Sequence, residues 1–170
     1  MKHMAVSAPV TTAPALLTIE DLSVTFRTDS GPLPALDSIS LEVHPGETLA
    51  LVGESGSGKS VLSLAIMGLL PPTARLTAGR MEFDGRDLTG LGRAELRSLR
   101  GRDMAMIFQE PATALNPVQR IGDQLVEAIR LHEKVSPRAA WARAIDMLRQ
   151  TGIPAPESRA SARLKPAKRG

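Results

Sequence analysis

The chain has 170 residues but no cysteine and no tyrosine, and it contains only three phenylalanines and one tryptophan. Without cysteine it can form no disulfide framework, thiolate zinc site or iron–sulfur site. No apolar run approaches the roughly 20 residues of a membrane-spanning helix, and residues 1–15 lack the basic-then-apolar order of a secretory signal. These absences favour a cytoplasmic protein with one domain, whose core is built from Leu, Ile, Val, Ala and Met.

The positive charge is concentrated at the end of the chain. The formal net charge is +3, but residues 157–170 hold five basic residues and one acidic residue, so the rest of the chain is close to neutral. A short basic segment without aromatic residues is typical of a solvated tail. We therefore expect no nucleic-acid binding.

The strongest local signal is a run of eight residues that reads GESGSGKS and fits G-x-x-x-x-G-K-[ST], the pattern of a phosphate-binding loop (P-loop). Glycines let the backbone aim N–H groups at an anion. Lys59 would reach the β- and γ-phosphates of a nucleotide, and the Ser60 hydroxyl would ligate Mg²⁺. An accidental match is expected in about one chain in a hundred of this length. The predicted nucleotide contacts are Gly53, Glu54, Ser55, Gly56, Ser57, Gly58, Lys59 and Ser60.

The segments on either side of the P-loop support this interpretation. Residues 48–52 form a nearly continuous apolar run, which predicts a buried parallel strand leading into the loop. Residues 61–70 are apolar without proline and predict a buried helix that Pro71 and Pro72 end. A strand before the loop and a helix after it are the context in which a P-loop binds phosphate.

Further elements follow from apolar periodicity and turn residues. The pair Asp84-Gly85 between two short strand-like runs predicts a hairpin. Apolar residues at helical spacing in the second half of the chain predict core-facing helices rather than cofactor contacts. The predicted strands are residues 17–26, 35–43, 80–83, 86–88 and 104–108, and the predicted helices are residues 93–100, 121–132 and 138–150.

Several motifs occur in order along the chain: Leu22 to Phe26, Gly46-Glu47, GESGSGKS, the Asp84-Gly85 hairpin, and FQEP followed by LNP. Together they resemble the ATP-binding subunit of an ABC transporter, in particular the oligopeptide/dipeptide/nickel importer branch. The resemblance covers about residues 16–156. It implies an α/β P-loop NTPase fold of the ABC ATPase type, truncated, with an N-terminal antiparallel β region and the start of the helical subdomain. Residues 1–15 are expected to be a disordered leader and residues 157–170 a basic tail outside the family.

The resemblance also implies cofactors, site residues and partners. ATP and Mg²⁺ would be the cofactors, Phe26 would stack on adenine, and Gln109 would contact Mg²⁺ and the attacking water. The residues alone leave two alternatives open: Phe26 as a core aromatic, which is the lesser alternative, and Gln109 as an ordinary polar strand end. The implied partners are transmembrane permease subunits and a second ATP-binding subunit. The implied location is peripheral, on the inner face of the cell membrane.

The chain departs from the family pattern after Gln109. It contains no L-S-G-G signature, no apolar run ending in Asp-Glu and no switch histidine, since its histidines stand elsewhere. We therefore expect an N-terminal fragment of the subunit that binds ATP without efficient hydrolysis. Two alternatives remain: a non-catalytic remnant that binds nucleotide or the membrane subunit, and another P-loop NTPase or kinase.

Overall fold

Two units, residues 1–97 and 98–170, make up the computed structural model, which describes residues 14–109 and 114–164. Helix α2 (Arg93–Leu99) contains the division between them. No helix in these described ranges is both long enough and apolar enough to cross a membrane. The other elements of the first unit are β1 (Leu17–Thr28), β2 (Gly31–Val43), α1 (Lys59–Ile66), β3 (Ala74–Thr77), β4 (Arg80–Phe83) and β5 (Arg86–Asp87). Those of the second unit are α3 (Ile121–His132), α4 (Pro137–Gln150) and α5 (Pro156–Ser161).

The first unit is built on an antiparallel sheet in which β1 is the central strand. The strand order is β2-β1-β4-β5, and β3 also pairs with β1. Ile19, Leu22 and Val24 of β1 are all buried, although strict alternation would turn Ile19 and Leu22 to opposite faces. An irregularity between these two residues, where Asp21 has a φ of 52°, restores the inward face. The predicted strands 17–26 and 35–43 are therefore confirmed, and both are longer than predicted.

The hairpin predicted at Asp84-Gly85 is confirmed. Asp84 has a φ of 50° and Gly85 a φ of 71°, as a two-residue turn with left-handed backbone at both positions requires. The strands on either side are β4 and β5, and the N–H of Leu88 donates to the carbonyl of Met81 at 2.8 Å. Local turn chemistry alone was enough to predict this element.

The predictions of strands at residues 48–52 and 104–108 are wrong. Neither segment is in a strand, and Val52 and Ile107 expose 72% and 93% of their surface. A strand exists only beside a neighbour that pairs with it. Within residues 14–109 and 114–164 no strand runs beside either segment, apart from a single bridge between Arg100 and Met104. Apolar composition therefore predicted a strand without specifying its partner.

Helix α1 ends before the prolines that were predicted to end it. Its last residue is Ile66, and Gly68 follows with a φ of 61°. The N–H of Leu69 donates to the carbonyl of Leu64 at 2.8 Å, and that of Gly68 to Ala65 at 3.0 Å. This is the Schellman arrangement, in which a glycine after the helix satisfies its last carbonyls. The apolar run continues past the glycine, so hydrophobicity alone overestimated the helix.

The second unit is a cluster of three helices. Helices α3 and α4 confirm the predictions for residues 121–132 and 138–150. Ala140 and Ala144 of α4 are fully buried and pack in one cluster with Ile129 of α3. The hydroxyl of Ser136 accepts a bond from the N–H of Ala139 at 3.2 Å and so caps the start of α4. The short helix α2 confirms the prediction for residues 93–100.

Helix α5 was not predicted, and most of it lies in the segment assigned to the basic tail. Ala160 is fully buried, and the N–H of Ile121 donates to the carbonyl of Ala162 at 3.0 Å. Arg149 pairs with Glu157 at 2.9 Å, but this pair is exposed and contributes little. Packing against α3 and α4 holds the helix, and a six-residue segment with one buried alanine gives no periodic signal.

Gly122 lies where these helices meet, and we expect Gly122→Ala to destabilise the second unit by about 1–3 kcal/mol, the usual cost of overpacking. An added Cβ would stand 2.5 Å from Cη2 of Trp141 and 2.9 Å from the carbonyl oxygen of Ala160. Urea unfolding followed by the fluorescence of Trp141, the only tryptophan, measures the change. Gly90→Ala, whose Cβ would be 3.5 Å from the nearest atom, is the control. Equal unfolding free energies for the two variants would contradict this packing.

Candidate functional site

The P-loop, residues 53–60, ends the connection between β2 and α1, includes the first two residues of α1, and has glycine at three places. Gly56 and Gly58 have φ values of 79° and 93°, which other residues adopt only with strain. A Cβ at Gly53 would stand 2.5 Å from Oγ and 3.1 Å from Cβ of Ser57, so the backbone at Gly53 passes close to Ser57. At Gly58 a Cβ would also stand 2.6 Å from the side chain of Leu36. The glycines therefore allow both the curl of the loop and its close approach to β2.

The loop ends on the N-terminus of α1. The first helical bond runs from the N–H of Leu62 to the carbonyl of Gly58, at 2.9 Å. The N–H groups of Lys59, Ser60 and Val61 precede it and have no carbonyl partner within the helix. No acidic residue stands in the first turn. The positive end of the helix dipole and these donors together favour a bound anion.

Lys59 folds back over the loop. Its ammonium Nζ donates to the carbonyls of Gly53 at 2.6 Å and Glu54 at 2.8 Å, and it lies 3.1 Å from the Ser57 hydroxyl oxygen. A full positive charge is thus held inside the same loop that presents the free N–H groups. Phosphate is the ligand chemistry that this combination fits.

Ser60 is exposed at the start of α1, and its hydroxyl has no hydrogen-bond partner among the described residues. Those residues also contain no cluster of three or more His, Asp or Glu side chains that could hold a metal. Mg²⁺ suits such a site, since it commonly binds through one or two protein ligands plus phosphate oxygens and water. The ligation of Mg²⁺ by Ser60 stays a prediction.

Phe26 lies near the end of β1 and is half-buried. It lines a cleft of about 490 Å³ together with Thr28, Gly31, Thr73 and Arg75. No P-loop residue is part of this cleft lining. Phe26 belongs to the same unit as the P-loop, and its stacking on adenine stays a prediction.

Gln109 is exposed and belongs to the second unit, whereas the P-loop belongs to the first. Residues 110–113, with the Glu and Pro of the FQEP motif, lie outside the described residues. The following Asn116 contacts α3, because its N–H donates to Oε1 of Gln124 at 2.8 Å and its carbonyl accepts from Nε2 at 3.0 Å. The role of Gln109 toward Mg²⁺ and water stays a prediction.

The P-loop geometry defines a class of protein: one that holds phosphate on glycine-rich backbone at the start of a helix. The ABC transporter family model matches residues 36–165, and the chain belongs to this family. The match includes residues 157–165, which were predicted to belong to the basic tail. The division of the chain at residues 15 and 156 stays a prediction.

Curated relatives show which branch of the ABC transporter family the chain resembles. It is 50% identical over 145 residues to the dipeptide transport ATP-binding protein DppD of Escherichia coli, covering 85% of this chain and 44% of that protein. It is 46% identical over 145 residues to the oligopeptide transport ATP-binding protein OppD of Bacillus subtilis, covering 85% and 40%. The chain thus spans less than half the length of these relatives. The resemblance to the peptide-importer branch is confirmed.

Solved structures confirm the fold class. A dimeric post-hydrolysis state of the ATP-binding cassette MJ0796, bound to ADP and Pi, superposes with a TM-score of 0.70 at 21% identity, covering 91% of this chain and 63% of that one. A second dimeric structure of MJ0796, a bacterial ABC transporter cassette, gives a TM-score of 0.71 at 22% identity, covering 88% and 63%. At this identity the similarity concerns the fold alone.

Proposed function

We propose that the chain binds Mg-ATP through its P-loop, as part of the ATP-binding subunit of an ABC importer for peptides or similar small solutes. The observation that carries the proposal is the convergence of the Lys59 ammonium and the free N–H groups of α1 on one loop. Ser60 ligates Mg²⁺ in this proposal, and Phe26 stacks on the adenine. The names of the relatives, which include dipeptide and oligopeptide transport, support the class of solute.

The proposed partners are transmembrane permease subunits and a second ATP-binding subunit, with the chain peripheral on the inner face of the cell membrane. Family membership and the dimeric state of the MJ0796 cassette support this assembly. Gln109 contacts Mg²⁺ and the attacking water in the assembled site. The transported solute is not encoded in this chain, because the permease and solute-binding subunits select it.

The length of the nucleotide's phosphate chain tests the proposal. We expect ATP and ADP, each with Mg²⁺, to bind with similar affinity and AMP to bind at least about tenfold more weakly, since AMP has no β-phosphate for Lys59 to contact. Isothermal titration of the full chain with the three nucleotides measures the difference. Equal affinity for ATP and AMP would show that the base and ribose, rather than the P-loop, dominate binding.

A further inference from the structure

The ammonium of Lys59 has all its donors engaged by the protein. A lysine ammonium carries three N–H donors and no acceptor. Three acceptors surround Nζ of Lys59: the carbonyl oxygens of Gly53 and Glu54 at 2.6 and 2.8 Å, and Oγ of Ser57 at 3.1 Å. To donate to a phosphate oxygen, Lys59 must therefore release one of these three.

The three acceptors differ in how readily they can be released. The Gly53 and Glu54 carbonyls belong to the backbone, and the Glu54 carbonyl also accepts a bond from the N–H of Ser57 at 3.2 Å. The Ser57 hydroxyl makes the longest of the three contacts and is the only acceptor on a rotatable side chain. It is therefore the acceptor that can turn away while the backbone of the loop stays in place.

We propose that the Ser57 hydroxyl is exchanged for a phosphate oxygen when nucleotide binds. Before binding, Ser57 holds the Lys59 ammonium in the loop and competes with phosphate for its third N–H. Ser57 is thus a positioning residue that acts through Lys59, and this inference rests on the proposed function. Its consequence is that removing the hydroxyl strengthens binding, although removing a polar group from a binding loop normally weakens it.

The test is Ser57→Ala in the full chain, titrated with Mg-ATP and separately with Mg-pyrophosphate. We expect about two- to tenfold tighter binding of both, the effect of one net hydrogen bond lost from the nucleotide-free protein. Ser57→Thr keeps the hydroxyl and should therefore lack the tightening that Ser57→Ala shows. The matched control is Ser63→Ala, because the Ser63 hydroxyl donates to the backbone carbonyl of Lys59 at 3.2 Å and does not involve Nζ. This control should leave both affinities unchanged.

A double-mutant cycle separates the exchange from a general change in the loop. Once Lys59→Ala has removed the ammonium, adding Ser57→Ala should have no further effect on affinity. Unchanged or weaker binding by Ser57→Ala in the parent background would overturn the inference, as would equal tightening in both backgrounds. Failure of the proposed function has a different signature, since the parent and Lys59→Ala would then bind Mg-ATP equally.

Discussion

Lys59→Ala should weaken Mg-ATP binding at least about tenfold, because a charge-assisted hydrogen bond contributes about 1.5–3 kcal/mol and each 1.4 kcal/mol is a factor of ten. The ammonium of Lys59 contacts the carbonyls of Gly53 and Glu54. Because Lys59 is the only cationic residue of the P-loop, no other residue of the loop can replace its charge. Isothermal titration of both proteins measures the change.

Lys134→Ala is the matched control for this prediction. Lys134 is exposed and belongs to the second unit, so its removal changes the formal net charge equally without touching the P-loop. Its affinity for Mg-ATP should equal that of the parent. If Lys59→Ala binds as tightly as Lys134→Ala, the loop is not the nucleotide site.

A polypeptide of these 170 residues should bind ATP but hydrolyse it no faster than its Lys59→Ala variant. Phosphoryl transfer to water requires a group that positions the nucleophile and charges that stabilise the transition state. Lys59, Ser60 and Mg²⁺ would provide part of the second requirement. The sequence contains neither an Asp-Glu pair after an apolar run nor an L-S-G-G signature, so we expect this polypeptide to lack the carboxylate that polarises the water and the groups that complete the transition-state charge.

Phosphate release in rigorously purified protein measures this second prediction, with the Lys59→Ala protein as background. Because both proteins are purified by the same procedure, a contaminating ATPase would contribute equally to the phosphate release of each. Steady release above that background would mean that some residue of this chain positions water without the family's carboxylate. Gln109→Ala would then be the first variant to test, since Gln109 is the residue implied to contact the attacking water.

Local chemistry allowed much of the fold to be predicted. The Asp84-Gly85 turn, the start of α4 at Ser136 and Pro137, and the apolar periodicity of α3 each depend on residues close in sequence. The two strand predictions that were wrong and the helix that was not predicted concern segments whose structure depends on residues distant in the sequence. Residues 48–52 and 104–108 required strand partners, and α5 exists because Ala160 packs against the other helices of its unit.

The features of the candidate site also differ in whether the local sequence could predict them. The spacing of GESGSGKS was enough to predict the loop, because the glycines and Lys59 lie close together in the sequence and their spacing determines the local backbone. The contact between Lys59 and the Ser57 hydroxyl could not be predicted from the motif, because the motif allows any residue at position 57. Phe26 and Gln109 entered only through family resemblance, and their roles depend on tertiary structure that a motif does not specify.

Hydrogen exchange of the backbone amides of residues 53–61, measured with and without Mg-ATP, tests most directly whether phosphate binds on the P-loop. We predict that Mg-ATP slows exchange in this segment and that AMP slows it much less, because the N–H groups of the loop and of the first turn of α1 would donate to the β- and γ-phosphates. Amides of α4 in the second unit serve as the internal reference. Binding of Mg-ATP that leaves exchange of residues 53–61 unchanged would contradict the assignment of the P-loop as the nucleotide site.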